Sequence, residues 1–116
     1  MSPILYYGVP SGCSFGSIVA LEWSRLPYRL ARVEMPGMIH SDAYRAINPV
    51  GETPALLTER GEALAESMAI LNHIGASASA IDSGIAFKQG TREFDELNRM
   101  LAFLNTAFFN AFAPLW

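Results

Sequence analysis

The sequence predicts an α/β domain ordered β-α-β-α-β-β-α, with a mixed four-stranded sheet, followed by the first helix of an all-α domain. Three observations predict it. Short apolar runs alternate with segments of helical period up to residue 75. Two of those runs flank Arg60-Gly61, a hairpin turn signal. Beyond a stretch of small residues, apolar positions recur at helical spacing from Phe94 to Phe112.

Ile4 to Tyr7 is an apolar, aromatic run ended by Gly8 and Pro10, which suits a buried strand. Residues 14–26 read as a helix, with Phe15, Val19, Trp23 and Leu26 on one face and Pro27 as its stop. Tyr28 to Met35 alternates imperfectly between apolar and charged residues and reads as the second strand. The β-α-β start implies parallel neighbours joined by a right-handed crossover. Ser41 or Asp42 caps a short helix through Ile47, ended by Asn48-Pro49. Pro54 to Thr58 and Ala63 to Ala65 form the hairpin, an antiparallel edge. Glu66 to Ile74 reads as a helix with Met68, Leu71 and Ile74 inward and Gly75 at its end.

Residues 1–76 thus form one domain, 77–90 a small-residue linker, and 91–116 the start of a second, all-α domain. In the last segment Phe94, Leu97, Leu101, Leu104, Phe108 and Phe112 share a helical face, with Glu93, Asp95 and Glu96 in the first turn and Pro114 at the end.

Composition removes several classes. Hydrophobic residues make up 51% and charged residues 16%, against the low hydrophobicity and high charge of disordered chains. No apolar stretch reaches the ~20 residues of a membrane span, and the N-terminus lacks the basic and apolar regions of a signal peptide. Net charge is −3, Lys88 is the only lysine, and the arginines are scattered, so nucleic acid is not an expected partner. A lone cysteine forms no internal disulfide and suits the reducing cytoplasm. No metal-ligand spacing is visible.

Three segments carry candidate chemistry. Pro10-Ser11-Gly12-Cys13-Ser14 precedes the first helix. The helix N-terminus there favours an anion such as a thiolate; alternatively, a serine caps the helix and Cys13 packs as a small apolar residue. In Asn48-Pro49-Val50-Gly51-Glu52-Thr53-Pro54, a cis Thr53-Pro54 bond turns the Thr53 backbone outward to pair with an extended peptide. An ordinary turn into a strand is the alternative. Glu66-Ser67 opens the third helix. Ser67 and nearby N–H groups suit a carboxylate, and Glu66 an ammonium, the two groups of an amino acid. Taken alone, the pair reads first as ordinary helix capping.

Together these segments resemble the N-terminal, thioredoxin-like domain of the glutathione S-transferases over residues 4–75, most closely the bacterial, beta-like branch. The resemblance implies a transferase that binds glutathione as cosubstrate and activates its thiol for attack on an electrophile. It implies that Cys13 lies near the glutathione sulfur, with Ser11 and Ser14 as neighbouring donors. Thr53 and the cis Pro54 would hold the cysteinyl part, and Glu66 and Ser67 the γ-glutamyl end. A small electrophilic or disulfide substrate and a homodimeric partner follow in the same way. Monothiol disulfide reduction through Cys13 and a non-catalytic binding role are the alternatives. Two departures stand out: Glu52 occupies a position where family members often have Lys or Gln. No lysine follows the second strand to meet the glycyl carboxylate, leaving His40 as a substitute. Tyr6, Tyr7 and His73 read as structural.

Residues 100–116 carry no charged side chain, yet hold Phe103, Phe108, Phe109 and Phe112 on more than one helical face. Such a helix needs a cover. The expectation is that the chain stops partway into its second domain, by truncation or processing, or that a partner chain covers this surface.

Overall fold

The computed structural model describes residues 1–115. Four strands, β1 (Ile4–Tyr7), β2 (Arg29–Arg32), β3 (Ala55–Leu57) and β4 (Ala63–Ala65), form one sheet in the order β2-β1-β3-β4. β1 and β2 are parallel; the β1–β3 and β3–β4 pairs are antiparallel. The mixed sheet and thioredoxin-like order match the sequence prediction. Helices α1 (Phe15–Ser24), α2 (Asp42–Arg45) and α3 (Ser67–Gly75) flank it. Side chains alternate across the strands. Leu5 and Leu56 join Leu21, Ile70 and Ile74 in the core beneath α1 and α3. Val33 and Ala55 join Ile39 and Tyr44 on the opposite face.

The inward face of α1 differs from the one its apolar spacing predicts. Phe15 and Trp23 are exposed, and Leu26 lies beyond the helix end; Ser17, Leu21 and Ser24 are buried. α1 packs closely against α3. Close approach selects small residues, and Ser24 Oγ meets its own need by donating to the Leu21 carbonyl at 2.9 Å. The helix ends at Ser24, with Arg25 in the left-handed region at φ 58°. In α3 the buried positions are Ile70 and Ile74, while Met68 and Leu71 are half-buried.

Residues 77–90, read as linker, contain a short helix, α4 (Ala78–Asp82), capped by Ser77 Oγ, which accepts from the Ala80 N–H at 3.2 Å. The helix expected over 91–112 starts as α5 (Arg92–Phe103), capped by Thr91. It then widens into a π-helical stretch over Leu104–Phe108. Phe103, Phe108, Phe109 and Phe112 are all exposed. No described helix is long and apolar enough to cross a membrane.

Candidate functional site

The sheet register gathers the candidate segments at one end. Tyr6 pairs with Ala55, and Ala55 with Ala65, so one row crosses three strands. Beyond that row β1 exits into Tyr7-Gly8, β3 is entered through Thr53-Pro54, and β4 exits into Glu66-Ser67. β2 leaves at the same end, because Tyr7 pairs with Arg32 and the Val33 N–H donates to the Tyr7 carbonyl at 2.7 Å.

After β1 the chain turns sharply. The Gly12 N–H donates to the Val9 carbonyl and the Phe15 N–H to the Gly12 carbonyl, each at 3.0 Å. Ser11 and Cys13 are exposed there, whereas Ser14 is buried at 1% exposure. Of the three, Ser11 and Cys13 are the groups that a ligand reaches from solvent.

The Thr53-Pro54 bond is cis. Two residues to which the sequence assigned no role hold the preceding loop. Tyr44 Oη and Asn48 Nδ2 both donate to the Glu52 carbonyl, at 2.6 and 2.9 Å. Asn48 Oδ1 also accepts from the Val50 N–H at 3.2 Å. Asn48 is buried, and burial pushes the Tyr44 phenol upward from its ordinary pKa. Tyr44 also meets Tyr6 edge-on, with ring centroids 6.1 Å apart, which gives Tyr6 the structural role expected of it. Glu52 is thereby tied down through its carbonyl while its side chain stays exposed. The internal hydrogen bonds of the described residues engage the Glu52 carbonyl and not the N–H or C=O of Thr53. The available signals were Asn48 just before Pro49 and a lone aromatic at Tyr44.

Glu66 adopts φ 74° and ψ 123°, a strained conformation for a residue with a Cβ. Its side chain is exposed and makes no cap bond, and half-buried Ser67 begins α3 behind it. The first N–H groups of a helix have no partner within the helix, so they point toward whatever lies beside Glu66. The exposed Glu66 carboxylate and the start of α3 thus share one corner of the sheet end.

His40 lies exposed in a 3-10 turn over Met38–His40. His73 is engaged elsewhere, with Nε2 3.1 Å from Glu59 Oε2. A separate apolar groove of about 450 Å³ lies between α3, α4 and α5, lined by Leu71, Ile74, Ile81, Phe94, Leu97 and Leu101. It includes none of Cys13, Thr53, Glu66 or Ser67.

A mixed four-stranded sheet flanked by helices, with a cis proline where its third strand begins, is the thioredoxin-like arrangement. The family model for the glutathione S-transferase N-terminal domain matches residues 10–77, and the chain belongs to that family. It is 34% identical over 110 residues to glutathione S-transferase GST-4.5 of Xanthomonas campestris pv. campestris, covering 95% of this chain and 52% of that one. The bacterial beta class glutathione S-transferase of Sphingomonas chungbukensis superposes with a TM-score of 0.83 at 30% identity, over 97% of this chain and 56% of that chain. A sphingomonad glutathione S-transferase complexed with glutathione gives a TM-score of 0.83 at 29% identity, over 97% of this chain and 56% of that chain. The chain spans about half the length of the relatives it matches.

Proposed function

We propose that this chain binds glutathione across the end of its sheet, as the glutathione-binding part of a transferase. One observation carries the reading: the paired row Ala55–Ala65 is entered through Thr53 and its cis proline on one strand and left through Glu66-Ser67 on the next, so the two segments lie at the same end of the sheet. An extended tripeptide pairs its cysteinyl backbone with Thr53 while its γ-glutamyl carboxylate meets Ser67 and the first N–H groups of α3. Its ammonium pairs with Glu66. The sphingomonad relative complexed with glutathione supports this choice of ligand.

The bound thiol then points toward the start of α1. Donation from Ser11 or Cys13, with the positive end of the helix dipole, favours the thiolate. Each unit of lowered thiol pKa corresponds to about 1.4 kcal/mol. The thiol proton leaves to solvent. The thiolate sulfur forms a bond to the electrophilic carbon, and the leaving group departs with the electron pair of the bond that breaks.

The exposed Cys13 thiol favours a second reading, monothiol disulfide reduction. The Cys13 thiolate attacks a substrate disulfide, forming a mixed disulfide while one substrate sulfur leaves as a thiolate; glutathione thiolate then attacks that mixed disulfide, and one of its two sulfurs leaves as a thiolate. Our reading also takes residues 1–76 as the binding domain, 77–90 as a connector and 91–116 as the start of a helical domain. It includes a second copy of the protein as partner and the cytoplasm as location.

Calorimetric titration with glutathione tests the proposal. Binding at millimolar glutathione or below, weakened about tenfold or more by Ser67→Ala, is the expected result. No heat at millimolar glutathione overturns it. Equal binding by Ser67→Ala removes the carboxylate from α3.

A further inference from the structure

The ligand-facing end of the sheet has a fourth contributor, Met35, which follows β2. A methyl group added to Gly8 would stand 2.6 Å from Met35 Cε and 3.2 Å from Thr53 Oγ1. The tip of Met35 therefore lies on the bare backbone of Gly8, next to Thr53. Met35 Cγ would stand 3.8 Å from that methyl group, and the residue as a whole is 51% exposed. Gly8 itself is buried, a close approach that only glycine permits without moving Met35.

The sheet order places these groups in sequence across the sheet end: Glu66-Ser67 from β4, Thr53 from β3, Gly8 from β1 and Met35 from β2. Neighbouring strands lie about 4.8 Å apart. An extended peptide advances about 3.3–3.6 Å per residue. Two strand spacings come to about 10 Å and two residue steps to about 7 Å, so a tripeptide anchored by its first residue at Ser67 and its second at Thr53 directs its third residue toward Gly8, where the tip of Met35 lies.

We propose that Met35 is a specificity-determining residue for that third position, and that it makes the site tolerant of an uncharged C-terminal residue on a γ-glutamyl-cysteinyl thiol. The inference rests on the glutathione reading. A thioether is uncharged, polarisable and carried on a flexible stem. It packs against a methylene or an ester without penalty, but it offers nothing to offset the desolvation of a carboxylate. Two other side chains are rivals for that carboxylate: the Arg32 guanidinium at the end of β2 and the His40 imidazole in the following turn, both exposed.

The test is calorimetry on the full chain with two ligands, glutathione and its glycyl ethyl ester. Wild type and Met35→Leu are expected to bind the two within about threefold of each other. Met35→Lys, at an exposed position, is expected to favour free glutathione over the ester by about tenfold or more, because an ammonium then meets the carboxylate. A wild-type preference for glutathione above about tenfold overturns the proposal. Loss of that preference in His40→Ala or Arg32→Ala would assign the end of the site to a cation instead. Failure of Met35→Lys to create a preference, in a variant with wild-type circular dichroism, also overturns it. If neither ligand binds wild type, the glutathione reading fails and this inference with it.

Discussion

Asn72 on α3 donates its side-chain amide to Oδ1 of Asn98 on α5 at 3.0 Å, across 26 residues of sequence. Asn98 in turn donates to the Phe94 carbonyl at 3.0 Å, so one amide ties its own helix to the domain. Both residues are half-buried. Replacing Asn72 with Ala leaves the Asn98 oxygen without its partner, at a cost of about 1 kcal/mol. Hydrogen exchange checks this: protection in α5 is expected to fall while that of β1 and β3 stays unchanged. Equal loss in the strands would contradict a local role.

Glu66 holds a backbone conformation that glycine adopts freely. Glu66→Gly is expected to stabilise the fold by up to about 1 kcal/mol, read as a rise of a few degrees in Tm, while weakening glutathione binding. Glu66→Gln keeps the strain and loses only the charge, so its Tm is expected to stay near wild type. A lower Tm for Glu66→Gly would mean that the surroundings do not hold Glu66 under strain.

The Glu59 carboxyl is held below its ordinary pKa of 4.5, first by a backbone hydrogen bond within its own residue, then by His73, with Arg60 beside it. A carboxylate lowered in the folded state contributes stability above its unfolded pKa and loses it as pH falls through the folded value. Glu59 is exposed and His73 half-buried, so solvent screens the pair and the effect is a few tenths of a kcal/mol. Thermal melts between pH 6 and pH 3 are expected to show a slightly flatter acid decline for Glu59→Gln than for wild type. Identical curves would remove Glu59 from the acid response.

Cys13 separates the two chemistries proposed for the site. Cys13→Ser is expected to keep glutathione binding, since the anchors at Thr53, Glu66 and Ser67 are untouched. Retained conjugation with lost disulfide reduction favours the transferase reading. Loss of binding in this variant would show that Cys13 holds the ligand rather than meeting its sulfur.

Phe103, Leu104, Phe108 and Phe109 expose large apolar surface along the end of α5 and the turns that follow. Contiguous apolar surface of this kind drives association. Light scattering on the 116-residue chain is expected to show species larger than a monomer, and a stable monomer at high concentration would contradict this.

Legibility in the sequence followed the range of the forces involved. The β3–β4 hairpin was readable because Gly61, at φ 79°, marks the turn locally. Thr53-Pro54 was readable for the same reason, as a proline set directly before an apolar strand. The corner at Glu66-Ser67 was legible as charge at a helix start, although nothing local signalled the strain at Glu66. The clamp of Tyr44 and Asn48 on Glu52 was hidden because it depends on tertiary folding of the loop. The second cis bond, Met35-Pro36, was likewise unsignalled. Beyond Phe103, the π-helical widening has no cue in the apolar spacing, which fits an unbroken α-helix equally well.

The two faces of α1 carry a consequence for mutational tolerance. Its small residues, Ser17 and Ser24, are fully buried, while Phe15 and Trp23 are exposed. A saturation scan of this helix read for folding alone would therefore invert the usual expectation. Trp23 would accept polar replacements, and Ser17 would reject nearly everything larger than alanine.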